Sequence, residues 1–426
     1  MAEKESLLVS REDREILREL ARRQLEDAHS PVMLQRIEDW KKHNNFLTGR
    51  RPMVHLELWT FESEVIPQRM RCGGEFARRI EKKFYRNILN YELFDDDWIV
   101  PDYYPVQWNQ GFTPFGHKVK YHYAKDAQGR EIGYEFELLI HDLHDDLDKL
   151  KKSTYSADRE GTLKEIEALN GIFGDILPAR LTGSSIGVSP TGNVVRLMGL
   201  ENMMYAMYDY PDELHTMMGR MTDDYLEYFD WLGNENLLLP TVGCEGVAQG
   251  SLCYTDELPG PQEAEGKRLC SRDVWGYLDS QETVGVSPDM FDEFFFPYYK
   301  KMAGRFGLLS YGCCEPVHPI WERCISKLEN LRKVSISPWC DEEYMGERLR
   351  GRKTVYQRKP SPNYLGVGTS LDEEAFRAHI EKTLQAAKGC TLEITQRDVY
   401  TIANNEEKAR RYVEIIREAI ADKWQG

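Results

Sequence analysis

The chain holds 426 residues, 41 % hydrophobic and 30 % charged, enough for a sizeable core in a water-facing globular protein. A formal net charge of −16 argues against nucleic-acid partners, and no apolar run approaches the roughly 18 residues that a membrane span needs. The charged start "MAEKESLLVSREDREILREL" is no signal peptide, so the nine cysteines read as free thiols or metal ligands of a cytoplasmic protein. Basic runs such as "RGRKTVYQRK" (350–359) are short and interrupted, the pattern of a solvated helix end.

Over residues 11 to 43 apolar positions recur at helical spacing, through Ile16, Leu17, Leu20 and Ala21 and then Met33, Leu34 and Ile37. This predicts an N-terminal helical extension over 1–50. Nine β-rich runs follow: 52–59, 98–106, 179–187, 237–243, 274–281, 307–313, 332–339, 354–360 and 391–397. Helical stretches separate most of them, including 199–232, 288–305, 319–330, 371–388 and 405–422. Alternating strands and helices predict an α/β fold with a parallel sheet, and about eight such units predict a single (β/α)8 TIM-type barrel over 51–426. One of the nine runs is then extra.

Two segments depart from that rhythm. Residues 112–147 alternate as an antiparallel hairpin with "DAQGRE" as its turn, an insertion in the barrel. Residues 243–269 are Gly-rich and Pro-broken, a long loop of the kind that serves as a lid or binding loop.

Barrel active sites lie at the C-terminal ends of the strands, so polar residues there are the candidates. They are Glu57, Trp59 and Glu62; Glu245; Asp279, Gln281 and Glu282; Cys313, Cys314, Glu315 and His318; Cys340 and Asp341; Arg358 and Lys359; and Gln396 and Asp398. In "SYGCCEPVHPIW" (310–321), thiolate, carboxylate and imidazole are donor types that zinc takes or that move protons. Buried cysteine packing is the bland alternative, and adjacent strand residues face opposite ways, so at most one of Cys313 and Cys314 is expected to bind directly. Arg358 and Lys359 suit a substrate carboxylate. Trp59, Tyr311 and Trp339 suit the walls of an aromatic site. His55 reads as a core histidine, Cys324 as packing, and His141 and His144 as surface.

The stretches "GLENMMYAMYDYPDELHTMM" (199–218), "SQETVGVSPDMFDEFFFPYYKKM" (280–302), "YGCCEPVH", "LRKVSISPWCD" and "LEITQRDVYT" resemble the uroporphyrinogen decarboxylase superfamily, which includes cobalamin-dependent methyltransferases. The resemblance covers about residue 175 to the end. It implies a single barrel. Decarboxylases of the superfamily carry an Arg-rich first-strand loop, where this chain has "ELWTFESE". Corrinoid-to-thiol methyltransferases carry His-x-Cys and a later Cys as zinc ligands; here Tyr311 replaces the His, Cys313 matches the first Cys, and Asp398 lies near the second.

The resemblance therefore implies most closely an O-demethylating methyltransferase that moves a methyl group from a small methoxylated aromatic donor to the cob(I)alamin of a partner corrinoid protein. The chain has no Asp-x-His-x-x-Gly run with which to hold the corrinoid itself. His318, Asp398, Glu315 and Lys359 are the expected catalytic set. Trp59, Tyr311, Trp339, Gln281 and Arg358 are the expected substrate contacts, and Cys314, Cys313 and Glu245 the expected zinc donors. The alternatives are a decarboxylase of a smaller acid using Arg358 and Lys359, and a non-catalytic binding subunit; a homodimer is compatible with either.

Overall fold

The computed structural model describes residues 7–125 and 131–424. Two helices open the chain, Arg11–Ala28 and Pro31–Asn44, where the sequence suggested one nearly continuous run. Ser10 and Ser30 cap them, their hydroxyls accepting from Asp13 N and Met33 N, and Pro31 enters at the first turn, where its missing N–H costs nothing.

Seven strands hydrogen-bond into one parallel sheet: β1 (Met53–Leu56), β2 (Ile186–Val188), β3 (Trp275–Leu278), β4 (Leu308–Tyr311), β5 (Leu331–Ile336), β6 (Val355–Arg358) and β7 (Thr391–Gln396). Their order is β1-β7-β6-β5-β4-β3-β2, so the chain winds steadily and its last strand returns beside its first. β1 pairs with β7 from Met53↔Glu393 to Leu56↔Gln396.

The sheet does not close by strand pairing among the described residues: seven parallel strands of the expected eight-unit ring are hydrogen-bonded in one sheet. The run 98–106 supplies only Tyr104–Val106, which pairs in parallel with Ala179–Leu181 as a separate two-stranded sheet. The run 237–243 forms no strand; its Thr241 hydroxyl instead accepts from Trp275 N. On the free edge of β1 side chains take the place of a neighbour: Asp97 Oδ2 accepts from Val54 N at 2.8 Å and Asp96 Oδ2 from Leu56 N at 2.9 Å. Buried backbone donors need partners, and carboxylates meet that need without a strand.

Prolines set several helix boundaries that the periodicity blurred. The 199–232 stretch divides into Leu200–Asp209 and Pro211–Asn234, and 288–305 into Pro288–Phe294 and Phe296–Ala303. The 319–330 stretch is no α-helix but a wound segment with 3-10 turns at His318–Ile320 and Ile325–Lys327. Its backbone bonds skip irregularly, with Cys324 N reaching Ile320 O and Ser326 N reaching Trp321 O. Helices Glu75–Leu89, Arg159–Phe173 and Glu342–Leu349 were not anticipated.

The expected insertion exists as Tyr121–Lys125 paired antiparallel with Glu131–Phe136, and its turn at 126–130 lies outside the described residues. A second antiparallel pair joins Asn109–Thr113 to Thr154–Asp158. Within the 243–269 segment, Gly246–Val247 pairs with Ser251–Leu252 to make a tight hairpin. That hairpin lies against side chains of β3, β5, β6 and β7. Gly250 at its tip has φ +77°, and a Cβ there would stand 2.6 Å from Thr395 Cγ2, so both conformation and space call for glycine.

Below the tip, toward the N-terminal helices, sits a closed ionic cluster. Lys333 Nζ donates to Glu393 Oε2 at 3.2 Å, to Asn44 Oδ1 at 2.8 Å and to the Ser251 hydroxyl. His43 Nε2 lies 3.8 Å from the same Glu393, and burial together with Lys333 lowers the His43 pKa to about 3. Lys333 and Glu393 are fully enclosed, so their charges are compensated by one another and by neighbouring protein groups, among them Gln357 Nε2, which donates to Glu393 Oε1 at 3.2 Å.

Candidate active site at the strand ends

Five strands of the main sheet deliver polar side chains to one face as they end. β1 leads into Glu57, β3 into Asp279 and Ser280, β4 into Cys313, Cys314 and Glu315, β6 into Lys359, and β7 into Arg397 and Asp398. Gly312 makes the turn out of β4 with φ +97°, and Asp398 turns the chain after β7 with φ +57°.

Gln249 at the hairpin tip, itself at φ +59°, ties these ends together. Its Oε1 accepts from both Lys359 Nζ and Arg397 Nη1, and its Nε2 donates to the Tyr277 hydroxyl at 2.6 Å. Tyr277 in turn donates to Asp279 Oδ2 at 2.8 Å, and Ser189 donates to Asp279 Oδ1 at 2.7 Å. Lys359 also donates to Cys313 O at 2.8 Å, and Arg397 Nε to Glu57 Oε2 at 2.5 Å. Two cations thus converge on one amide oxygen, their mutual repulsion offset by Glu57 on one side and the Cys313 carbonyl on the other. Burial, followed by the neighbouring Arg397, lowers the Lys359 pKa.

The cysteine pair sits over this network. Cys313 Sγ and Cys314 Sγ are 3.5 Å apart, and Cys314 Sγ is 3.8 Å from Asp398 Oδ2. The Cys314 S–H and, beyond it, the Lys359 and Arg397 charges draw the Cys313 thiol down to about 6 against the opposing effect of burial, while the same contact pushes Cys314 up. Both are half-buried and therefore reachable. Beneath them Glu315 accepts from Ser280 N at 2.9 Å and Cys313 N at 2.8 Å. Burial and the adjacent Asp279 raise its pKa to about 7. A carboxyl that titrates near neutrality thus lies two residues from Cys313, a reachable cysteine carrying a lowered pKa.

The structure brings Glu315, Lys359, Cys313, Cys314 and Asp398 into this cluster. The other expected residues are placed differently. Arg358 alternates to the far face of β6, where it donates to Glu342 Oε1 at 2.7 Å and to the Ile336 and Ser337 carbonyls. It does not act with Lys359, because neighbouring strand residues point apart. Tyr311 is fully buried, its hydroxyl 2.7 Å from Ser280 Oγ and its ring edge-on to Tyr299. His318 accepts from Asp341 N at 3.2 Å through Nδ1 and so caps the next turn. Gln281 is exposed in the turn after Ser280. Trp59 and Trp339 are 52 % and 65 % exposed at the ends of β1 and β5, open to solvent.

Glu245 faces a different cavity, shared with Tyr103 and Arg180, and its carboxylate accepts from Gly243 N. Cys313, Cys314 and Glu245 therefore do not assemble as a zinc site. Among the described residues no three His, Cys, Asp or Glu side chains converge to hold a metal ion. His55 is buried, hydrogen-bonded to Asp96 Oδ2 at 2.8 Å and stacked on Trp98, and Cys324 is buried as packing.

Five members of the network were not anticipated: Gln249, Arg397, Ser189, Tyr277 and Ser280. Arg397 was within reach of sequence reasoning, since it follows β7 directly and neighbours Asp398. Gln249 carried no such signal.

No family model matches the chain, and no curated protein matches it. Among solved structures, it is similar to a methyltransferase from Methanosarcina mazei, with a TM-score of 0.51 and 12 % identity over 91 % of this chain and 98 % of that one. At that identity the likeness is one of fold, and it extends along nearly the whole of both chains. No helix among the described residues is long and apolar enough to cross a membrane.

Proposed function

We propose that the protein is a methyltransferase with a barrel of the uroporphyrinogen decarboxylase type, moving a methyl group from a small methoxylated aromatic donor to the cob(I)alamin of a partner corrinoid protein. The fold shared with a methyltransferase supports the reaction class. The observation that carries the reading is that the strand ends hold two cations, Lys359 and Arg397, on the Gln249 amide oxygen, together with a buried carboxyl, Glu315, whose pKa is raised to about 7.

When an alkyl–oxygen bond breaks, the departing oxygen gains negative charge, and charge stabilisation followed by protonation makes it a better leaving group. Lys359 and Arg397 supply the positive field, already oriented by Gln249. Glu315, its pKa raised to about 7, can both hold and release a proton near neutrality, with Ser280 and Cys313 N–H groups fixing the carboxyl plane. The partner's corrinoid, when presented, supplies the nucleophile that takes the methyl group. The exposed rings of Trp59, Trp339 and Tyr400 at the ends of β1, β5 and β7 offer apolar contacts to a flat ligand arriving at this face. No metal-dependent step is drawn, because the expected zinc donors do not converge.

The test follows the cob(I)alamin absorbance of a corrinoid protein mixed with this protein and a panel of methoxylated arenes. Conversion to the methylated form, with release of the matching phenol, is expected for at least one donor. Decarboxylation of an aromatic acid without methyl transfer to any acceptor defeats the reading.

A further inference from the structure

The pair Cys313 and Cys314 takes no part in the chemistry assigned above, yet it lies within the strand-end network. Three hydrogen bonds pin the Cys313 backbone. Its N–H donates to Glu315 Oε2 at 2.8 Å, and its carbonyl accepts from Lys359 Nζ and from the Ser335 hydroxyl, each at 2.8 Å. Gly312, with φ +97°, turns the chain out of β4 just before it. The half-buried Cys313 side chain is therefore carried on a backbone with little freedom, its Sγ 3.5 Å from Cys314 Sγ.

Other thiols of the chain are held differently. Burial raises the pKa of Cys72, Cys244, Cys253, Cys324, Cys340 and Cys390. The Cys314 S–H, together with the Lys359 and Arg397 charges, draws Cys313 down to about 6 against its own burial. The thiolate, not the thiol, is the nucleophile of cysteine chemistry. The donors that the resemblance assigned to zinc do not converge, and positive charge beside this sulfur comes from Lys359 and Arg397. A fixed and reachable thiolate, two cations and a carboxyl able to give up a proton are the parts of a nucleophilic displacement.

We propose that Cys313 is the first acceptor of the methyl group, which it carries as S-methylcysteine until the partner's corrinoid takes it. The inference rests on the methyl-transfer reading and goes beyond it by dividing the transfer into two displacements. In the first, the Cys313 thiolate forms the S–C bond as the methyl–oxygen bond breaks; the electron pair leaves on oxygen, and Glu315 gives the proton that completes the phenol. Solvent then returns a proton to Glu315. In the second, the electron pair of cob(I)alamin attacks the same carbon, the S–C bond breaks and the thiolate is restored. Charge stabilisation of the thiolate serves both steps, keeping the sulfur ionised for attack and making it a better leaving group.

Methyl 4-nitrobenzenesulfonate, a methyl donor that requires no recognition of an arene, tests both halves on the full chain. At neutral pH the Cys313 peptide is expected to gain one methyl mass at least ~10-fold faster than any other cysteine peptide. Mixed afterwards with cob(I)alamin, the methylated chain is expected to lose that mass from Cys313 while the cob(I)alamin absorbance disappears on the same time course. Both readouts use the unaltered chain, so a folding defect cannot imitate a failure. Cys313→Ser is expected to lower demethylation of a methoxyarene ~100-fold or more. Methylation of other cysteines in place of Cys313, or a Cys313 methyl group that cob(I)alamin leaves in place, overturns the proposal. If Cys313→Ser demethylates a methoxyarene at the wild-type rate, transfer is direct: the proposal falls and the methyl-transfer reading stands. If Cys313 accepts and returns the methyl group but no methoxyarene is demethylated, the proposal stands and the donor assigned above falls.

Discussion

The hairpin Gly246–Leu252 touches two buried ionic groups, and they behave differently. Its tip residue Gln249 joins Lys359, Arg397 and Glu57, while Ser251, two residues on, joins Lys333 and Glu393. The residue types are similar, each site holding a lysine, a carboxylate and an amide, but Lys333 bonds its carboxylate directly whereas Lys359 bonds only neutral acceptors and Glu57 pairs with Arg397. The lower cluster is sealed by Asn44 from the N-terminal helices and by Trp40 and Trp275, whose rings lie 5.3 and 5.7 Å from Lys333 Nζ. The upper one opens at Cys313, Cys314, Arg397 and Asp398, all half-buried. A polar network without access can serve the fold; with access, the same chemistry is available to a ligand.

The comparison is broken most directly by exchanging one lysine at each site. Lys333→Met leaves Glu393 buried without its cation and is expected to cost ~3–5 kcal/mol in urea unfolding. Lys359→Met leaves only neutral acceptors, a carbonyl and the Gln249 amide, and is expected to cost less than half as much while abolishing most methyl transfer. Equal destabilisation by the two variants removes the distinction.

Next in size is Glu315→Gln, which keeps the side-chain shape and one carbonyl acceptor but cannot cycle a proton. Methyl transfer is expected to fall ~100-fold, the usual scale for a lost general acid, with unfolding little changed at low pH, where the wild-type carboxyl is protonated. The sign of its pH dependence follows from a folded pKa raised to about 7 from an ordinary 4.5. Between those values the folded chain binds more protons than the unfolded one, so this group's contribution to stability falls as pH rises from 4.5 to 7. Denaturation midpoints of wild type and Glu315→Gln should therefore converge at low pH and part across that window, with the variant the less pH-sensitive.

Cys313 has the opposite sign. Its pKa of about 6 lies below an ordinary 9, so its contribution to stability rises from pH 6 to 9 and is lost as pH falls through 6. Iodoacetamide labelling followed by peptide mass spectrometry should give Cys313 a rate midpoint near pH 6, and Cys314→Ala, which removes the donor, should move that midpoint upward. A midpoint near 9 in the wild type contradicts the arrangement. The smallest effect is expected at Trp339: Trp339→Ala should change stability by no more than about 0.5 kcal/mol, as exposed positions usually do, yet raise the KM for the corrinoid protein several-fold.

Much of the scaffold was readable because strand ends and helix faces follow local periodicity. Seven of the nine β-rich runs contain a strand of the main sheet, and the polar residues just past β4, β6 and β7 supply most of the candidate site. What escaped depends on contacts between distant segments. The 237–243 run has the composition of a strand but bonds through a threonine side chain, and β1 is flanked by Asp96 and Asp97, whose carboxylates give no strand signal. Arg358 illustrates a limit of position alone: strand alternation assigns it and Lys359 to opposite faces, but only the packing of Glu342 against Arg358 shows which face is outward. Gln249 lies on a loop whose path the local sequence does not define.

The junction of β1 with β7 bears on how the chain is made. Glu57 and Arg397, joined by a 2.5 Å hydrogen bond, are 340 residues apart. Trp40 and Arg417, from the first and last parts of the chain, both bond to Asp97. On the ribosome, β1 emerges early and has no strand to pair with until nearly all of translation is complete. Closing so long a loop is entropically slow, so the β1 seam is expected to form last. Pulse-labelled hydrogen exchange during refolding should find the β3, β4 and β5 amides protected before the amide of Glu57, which bonds across the seam to Gln396 O. Until then the N-terminal segment exposes an unpaired edge of Met53, Val54 and Leu56, a natural point of chaperone engagement during synthesis.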